Sequence, residues 1–500
     1  MNWRHGLPEP APARVFERLS YYPWLAVGSV CIGNFMGQAD ASIVQLAMPA
    51  FEDAFHASLD AVSWVAIGYV LAFAAVLPTF ARLAEIAGRK TLYLLGFVLF
   101  GVCSALCALA PSLGWLIVFR VLLGIGGANM GANSVVIIVA AAGSERRGKA
   151  LGLQAAAQAI GLSVGPPLGG LLLGAFGWSS IFWVAVPISA VGVILAWLVV
   201  PKTAKFSADR RFDSVGAILL APALAALLLV ITEARAWGLS AGLTACAVAG
   251  PILLGLFVWR EMRAPAPLVY LGLFRSSAFS AGSAGVLVSY AMLYGIFFAM
   301  SFALIRGYHD QPIAAGLRLA ILPVALGLVA PIAGTASDKH PRLVMLAGMA
   351  ICIAAAMALM RLLTGEPGGL SGVMAAIAAF GVGLGLYIAP NNNATIGAAP
   401  SDKSGVAGGL LNLLRVFGAG VGVAAASATL AWRLEAATGA HERTANVREA
   451  ALLAAVGDVL LLLAIFAALG AAMAVFGDGP EAGARKAAPA PLGPAAPELS

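Results

Sequence analysis

Apolar runs of about 20 residues alternate with short polar connections along almost the whole chain, the pattern of a polytopic helical membrane protein. The spacing predicts fourteen spans, near residues 24–46, 61–81, 91–110, 115–138, 150–174, 180–200, 214–232, 240–260, 279–304, 312–335, 342–362, 370–390, 404–430 and 451–476. The short alternating segments of an outer-membrane barrel are absent. The expected fold class is therefore an all-α polytopic membrane protein. A composition with 61% hydrophobic and 11% charged residues agrees, because soluble domains carry about 25% charge.

Charge adds orientation. Of the 30 Lys and Arg residues, most fall in loops that share a side with the N-terminus: Arg4, Arg14 and Arg18; Arg82, Arg89 and Lys90; Arg146, Arg147 and Lys149; Lys202, Lys205, Arg210 and Arg211; Arg260, Arg263 and Arg275; Lys339 and Arg342; Lys403; and Arg485 and Lys486. The opposite loops hold only Arg235, Arg306, Arg361, Arg433, Arg443 and Arg448. This asymmetry predicts both termini in the cytoplasm of a cell membrane. It also accounts for the net charge of +7 without a nucleic-acid partner. Trp24, Trp64, Trp115, Trp178, Trp237, Trp259 and Trp432 stand near span ends, as an interfacial aromatic belt does. Residues 1–23 read as a cytoplasmic N-terminus, with an uncleaved first span following. Residues 477–500 are Ala- and Pro-rich and read as a disordered tail. The connection 431–449, with mixed charges, is the longest on the outer side.

The chain also repeats. Pro78 to Glu85 is echoed by Pro331 to Asp338, and Gly148-Lys149-Ala150-Leu151-Gly152-Leu153 by Gly405-Val406-Ala407-Gly408-Gly409-Leu410, at a nearly constant offset. Spans 1–6 (24–200) and 9–14 (276–476) thus form two parallel copies of a six-helix unit, with two helices and linkers (201–275) inserted between them. Parallel six-span halves around a central cavity are a transporter architecture.

Within this frame the candidate chemistry is sparse. Asp40 lies in an apolar segment, where an ionised acid costs roughly 2.5–3.5 kcal/mol on an insertion scale unless it is paired, hydrated or functional. It is the only acid predicted inside the first six spans. The five cysteines (Cys31, Cys103, Cys107, Cys246, Cys352) sit in apolar runs and read as buried hydrophobes, with no metal cluster around them. No phosphate-binding GxxxxGK[ST] string or catalytic triad occurs, so neither ATP nor enzymatic chemistry is expected.

Four motifs carry a family resemblance. Ala81-Arg82-Leu83-Ala84-Glu85-Ile86-Ala87-Gly88-Arg89-Lys90 resembles the loop motif G-x-L-A-D-x-x-G-R-R/K of the major facilitator superfamily, with Ala81 and Glu85 as departures. Glu85 can meet Arg89 one turn on or cap a neighbouring helix, latching the cytoplasmic ends of the halves. Asp338 is its counterpart in the second repeat. Arg120-Val121-Leu122-Leu123-Gly124 resembles R-x-x-Q-G, with Leu123 in place of Gln. Arg120 either faces the bundle or snorkels to the outer interface near Trp115. Gly161, Gly165, Pro166, Gly169 and Gly170 resemble the antiporter motif G-x-x-x-G-P-x-x-G-G, whose four-residue glycine spacing makes one smooth helix face. Finally, Asp40-Ala41-Ser42-Ile43-Val44-Gln45-Leu46-Ala47-Met48-Pro49 is similar to the D-x-T-I-V-N-V-A-L-P signature of the fourteen-span drug:proton antiporters, the EmrB/QacA type.

That resemblance implies proton-coupled export of hydrophobic or amphipathic small molecules by alternating access. The proton gradient would be the energy source, with no cofactor. Asp40 would carry the proton and Arg120 would communicate with it. The cavity is expected from spans 1, 4, 9 and 12, largely apolar with few charges. Asp40→Asn is expected to abolish coupling while leaving folding intact. In the second half, Arg318 faces either the cavity or the outer interface. Arg415 is either a transport residue or a structural pair near the cytoplasmic end, and Asp458 is the one remaining buried-looking acid. Asn391, Asn392 and Asn393 are expected to cap span 12. A metabolite transporter of the same fold, a channel and a scaffold are the alternatives. A periplasmic adaptor partner is left open, and the substrate is not legible.

Overall fold

The computed structural model describes residues 9–143, 145–203, 213–233, 240–265, 267–400, 403–439 and 443–476. Arg4, Lys205, Arg210, Arg211, Arg235, Trp237 and the tail 477–500 lie outside the described residues. Fourteen long helices follow one another: α1 Tyr22–Phe55, α2 Leu59–Ala87, α3 Arg89–Ala108, α4 Leu113–Ala142, α5 Arg147–Phe176, α6 Ser180–Val199, α7 Ser214–Glu233, α8 Ala241–Glu261, α9 Ser277–Phe302, α10 Pro312–Ser337, α11 Pro341–Leu362, α12 Leu370–Gly397, α13 Ser404–Thr438 and α14 Glu449–Phe476. Thirteen of them are long and apolar enough to cross a membrane on composition alone. The remaining one, α1, has the length but is diluted by Asn34, Gln38, Asp40 and Gln45. The least apolar span is thus the one that carries Asp40.

Large apolar side chains such as Val102, Ile218, Leu328, Ile332 and Ile465 are exposed around the outside, as suits a surface that faces lipid. Inside, α1 packs on α5 and α2 on α4, while α9 packs on α13 and α10 on α12. The halves meet along α5 with α10 and α2 with α13, and the inserted α7 leans on α2 and α13. Fourteen alternating spans bring the two ends of the described chain to one end of the bundle, called here the terminal end.

The repeat extends to packing. A Cβ added at Gly161 or Gly165 would collide with α1, through the Phe35 carbonyl and the Ser42 side chain respectively. Gly418 and Gly422 on α13 stand 257 positions later, the separation that also relates Gln158 to Arg415. Added Cβ atoms there would strike the Leu287 and Ala291 carbonyls of α9. Each half therefore uses the same glycine pair to bring two backbones into contact.

Two boundaries differ from expectation. The first span does not end near residue 46 but continues as helix to Phe55, carrying Glu52 inside it. Asp40 is therefore not the only acid within the first-half helices. The three asparagines after Pro390 do not cap α12: the helix continues to Gly397, and Asn391 Nδ2 donates to the Gly282 carbonyl of α9 at 2.9 Å. Helix–helix packing supplies what the apolar pattern alone does not, a reason to prolong a helix through polar residues.

Candidate functional site

Asp40 and Arg120 form an ion pair in the first half. Arg120 Nη1 donates to both carboxylate oxygens of Asp40, at 3.0 and 2.8 Å. Its Nε donates to the Val65 carbonyl at 3.0 Å. The side chains are 1% and 5% exposed, so Arg120 faces the bundle and does not snorkel. The guanidinium lies 4.4 Å from the Tyr69 ring centroid and 5.8 Å from that of Phe182. Such a pair is held by geometry and desolvation together, since either charge alone would be stranded in an apolar interior.

Tyr69 also lines a cavity at the interface of the halves. Its volume is about 70 Å³, room for a few waters and less than a drug-sized ligand needs. The lining comes from α1 to α5, α9 and α13, with no contribution from α12. The lining is largely apolar, as expected, with a polar minority. Asn34, Gln38 and Gln158 face Tyr290, Tyr294 and Arg415 across it. Gln154 and Gln158 both donate to Asn34 Oδ1, at 3.2 and 3.1 Å. Arg415 Nη1 donates to Gln158 Oε1 at 3.0 Å, and Tyr294 donates to Gln38 Oε1 at 3.3 Å. Arg415 thus stands at the cavity and joins the two halves, rather than serving as a pair at the end of its helix. The expectation of few charges holds for the lining, where Arg415 is the one ionised side chain among the described residues.

The span-5 motif splits in two. Gly161, Gly165 and Gly169 lie against α1, the helix of Asp40. Gly170 lies against the Pro312 carbonyl of α10, and Gly316 of α10 lies in turn against the Pro166 carbonyl. The motif therefore couples the Asp40 helix to the opposite half through one rigid element.

At the terminal end, Glu85 pairs with Arg82 of its own helix at 2.7 Å and with Arg89, the first residue of α3, at 3.7 Å. Gly88 adopts φ +115, and a Cβ there would meet Glu9 Oε1 at 2.6 Å. Glu9 accepts from the Lys90 and Thr203 backbone amides at 3.1 and 2.7 Å. Lys90 Nζ donates to the Trp197 and Val200 carbonyls at 2.9 and 2.7 Å, closing the end of α6. The loop motif thus pins α2, α3, α6 and the N-terminal segment together. Asp338, its repeat counterpart, is exposed.

At the distal end, contacts bridge the halves. Glu52, fully buried, accepts from the Thr444 amide at 2.7 Å and from the Thr444 hydroxyl. Asp53 pairs with Arg306 at 2.6 Å and Arg443 at 3.1 Å, and Arg306 also donates to the Pro49 carbonyl at 3.1 Å. None of these residues was singled out from sequence. The one signal was the pair of acids so soon after the Asp40 motif. Arg318 pairs with Asp310 and Asp458 pairs with Arg433; neither acid nor base faces the cavity.

Residues 30–423 match the Major Facilitator Superfamily. The chain belongs to this superfamily. It is 30% identical over 402 residues to the riboflavin transporter RibZ of Clostridioides difficile, covering 80% of this chain and 87% of that one. It is 30% identical over 415 residues to the multidrug resistance protein Stp of Mycobacterium tuberculosis, with 82% and 76% covered. The tetracenomycin C resistance and export protein of Streptomyces glaucescens is 29% identical over 415 residues, with 82% and 77% covered. The fold also matches the crystal structure of a bacterial homolog of the human lysosomal transporter Spinster, inward-facing and unoccupied, with TM-score 0.63, 17% identity and 92% and 98% of the two chains covered. As a major facilitator protein, the chain places its Asp40–Arg120 pair one ring's thickness behind the cavity between its halves.

Proposed function

We propose that this transporter exports small molecules against proton entry, as a fourteen-span drug:proton antiporter. The observation that carries this reading is the buried Asp40–Arg120 pair, separated from the cavity by the Tyr69 ring. Protonating Asp40 removes one charge of a desolvated pair and leaves Arg120 on the Val65 carbonyl and an aromatic face. That change alters the hold of α4 on α1, and α1 is seated on the glycine face of α5, which reaches the second half at Gly170. A proton can thus bias the approach of the halves, the kind of two-state element that alternating access requires. The terminal end is assigned to the cytoplasm on the distribution of basic residues. The distal contacts around Glu52 then close the outer side, and the cavity loads from within.

The relatives named for multidrug resistance and for tetracenomycin export support export. The relative named a riboflavin transporter favours a second reading, a carrier of one metabolite in the same cavity. Inverted vesicles containing the full chain test the first. Uptake of a fluorescent substrate panel should follow an imposed inside-acid gradient and collapse with a protonophore. Uptake indifferent to the protonophore overturns proton coupling.

A further inference from the structure

The cavity is chemically lopsided, although it is built from repeated helices. Tyr294 stands 256 positions after Gln38 and Arg415 stands 257 after Gln158, so each contacting pair joins near-equivalent points of the two repeats. One half contributes amides, Asn34, Gln38 and Gln158. The other contributes two phenol rings and a guanidinium, Tyr290, Tyr294 and Arg415. The first half also supplies three rings, Tyr69, Phe73 and Tyr93, so the halves differ above all in the guanidinium.

Arg415 decides the charge. Its hydrogen-bond partners are the neutral Gln158 and Asn412, at 3.0 and 2.6 Å, and Tyr290 lies 5.8 Å away. No carboxylate pairs with it among the described residues. Asp40, the acid behind the wall, is already committed to Arg120 through both of its oxygens. The lining therefore carries one fixed positive charge, with no carboxylate beside it among the described residues, amid neutral amides and aromatic faces. A lipophilic cation would meet like charge there. A planar anion would stack on the tyrosines and engage a guanidinium whose planar fork suits carboxylate or sulfonate oxygens.

We propose that this cavity, once the halves part and widen it beyond the few waters it holds here, selects planar aromatic anions, with Arg415 as the residue that sets the sign of the charge. This rests on the transport reading for its physiological meaning but concerns binding alone. The test uses two dyes with the same three-ring xanthene core, anionic fluorescein and cationic rhodamine 123. Their equilibrium binding to the purified full chain in nanodiscs is followed by fluorescence anisotropy with no gradient present. Fluorescein should bind at least about tenfold more tightly, the size of one charge-assisted hydrogen bond. Arg415→Gln should bring the ratio near one, and Arg415→Lys should keep most of it. Equal binding by the unaltered protein, preference for the cation, or a ratio unmoved by Arg415→Gln overturns the proposal. Gradient-driven flux of either dye in proteoliposomes is measured separately. Its absence alongside the expected binding ratio would fault the proton-coupled export reading and not the ligand class.

Discussion

The Asp40–Arg120 pair can be taken apart by a double-mutant cycle. Asp40→Asn leaves a guanidinium that is 1% exposed facing an amide, and Arg120→Gln leaves a carboxylate that is 5% exposed. Breaking one side of a buried pair costs about 3–5 kcal/mol, because the remaining charge stays desolvated. Removing both replaces the pair by two neutral amides and strands no charge, which costs less than the sum of the single changes. The expected coupling is therefore about 3 kcal/mol or more, with the double variant more stable than either single one. The assay is reversible unfolding of the purified protein in mixed micelles of increasing SDS content, read by intrinsic fluorescence. Proton-driven uptake in proteoliposomes should be lost in all three variants, the stable double variant included. This revises the expectation that Asp40→Asn leaves folding untouched, since the sequence did not reveal that Arg120 is buried against it. A coupling below about 0.5 kcal/mol, the range of independent sites, would refute the account of the pair as a mutually dependent unit. Full proton-coupled uptake by the double variant would sink its assignment to proton coupling.

Two further changes probe the frame around the pair. Gly161→Ala places a methyl on the Phe35 carbonyl and should cost about 1–3 kcal/mol as α1 and α5 are forced apart; Gly152→Ala, with nothing within 4 Å, should not, and equal effects in the same SDS assay would argue against the close-contact face. Glu52→Gln removes the charge that holds Thr444 and should weaken the distal closure by about 1–3 kcal/mol. Hydrogen exchange across residues 443–447 should then accelerate, and unchanged protection would show that the distal contacts do not close the bundle.

Much of the site was legible because membrane burial makes polar residues conspicuous. Asp40 and Arg120 stand out in apolar runs, and the glycine string on α5 announces a close helix contact whatever its partner. Gly418 and Gly422 were equally readable through the repeat but lacked a motif to draw attention. Glu52, Thr444, Arg306 and Arg443 were not legible, because each lies near a helix end, where polar residues are ordinary and carry no depth signal. Arg318 and Asp458 were ambiguous for the reason that a charged residue near an interface has several satisfactory neighbours. Their partners are set by the tertiary structure: Asp310 lies in the connection just before the helix of Arg318, and Arg433 of α13 meets Asp458 of α14.

The linear chain by itself determined fourteen helices, their alternation, the repeat of six and the family, because lipid admits few ways to satisfy a backbone and those ways leave a period in the sequence. Tertiary structure alone decided that Arg120 turns inward to Asp40, that Tyr69 stands between that pair and the cavity, and that Gln158 meets Arg415 across the halves. The physical reason is rotation. Hydropathy fixes how long a helix is, but not which way it faces, and a turn of one helix about its axis would send the same arginine to lipid, to a neighbour or to the cavity.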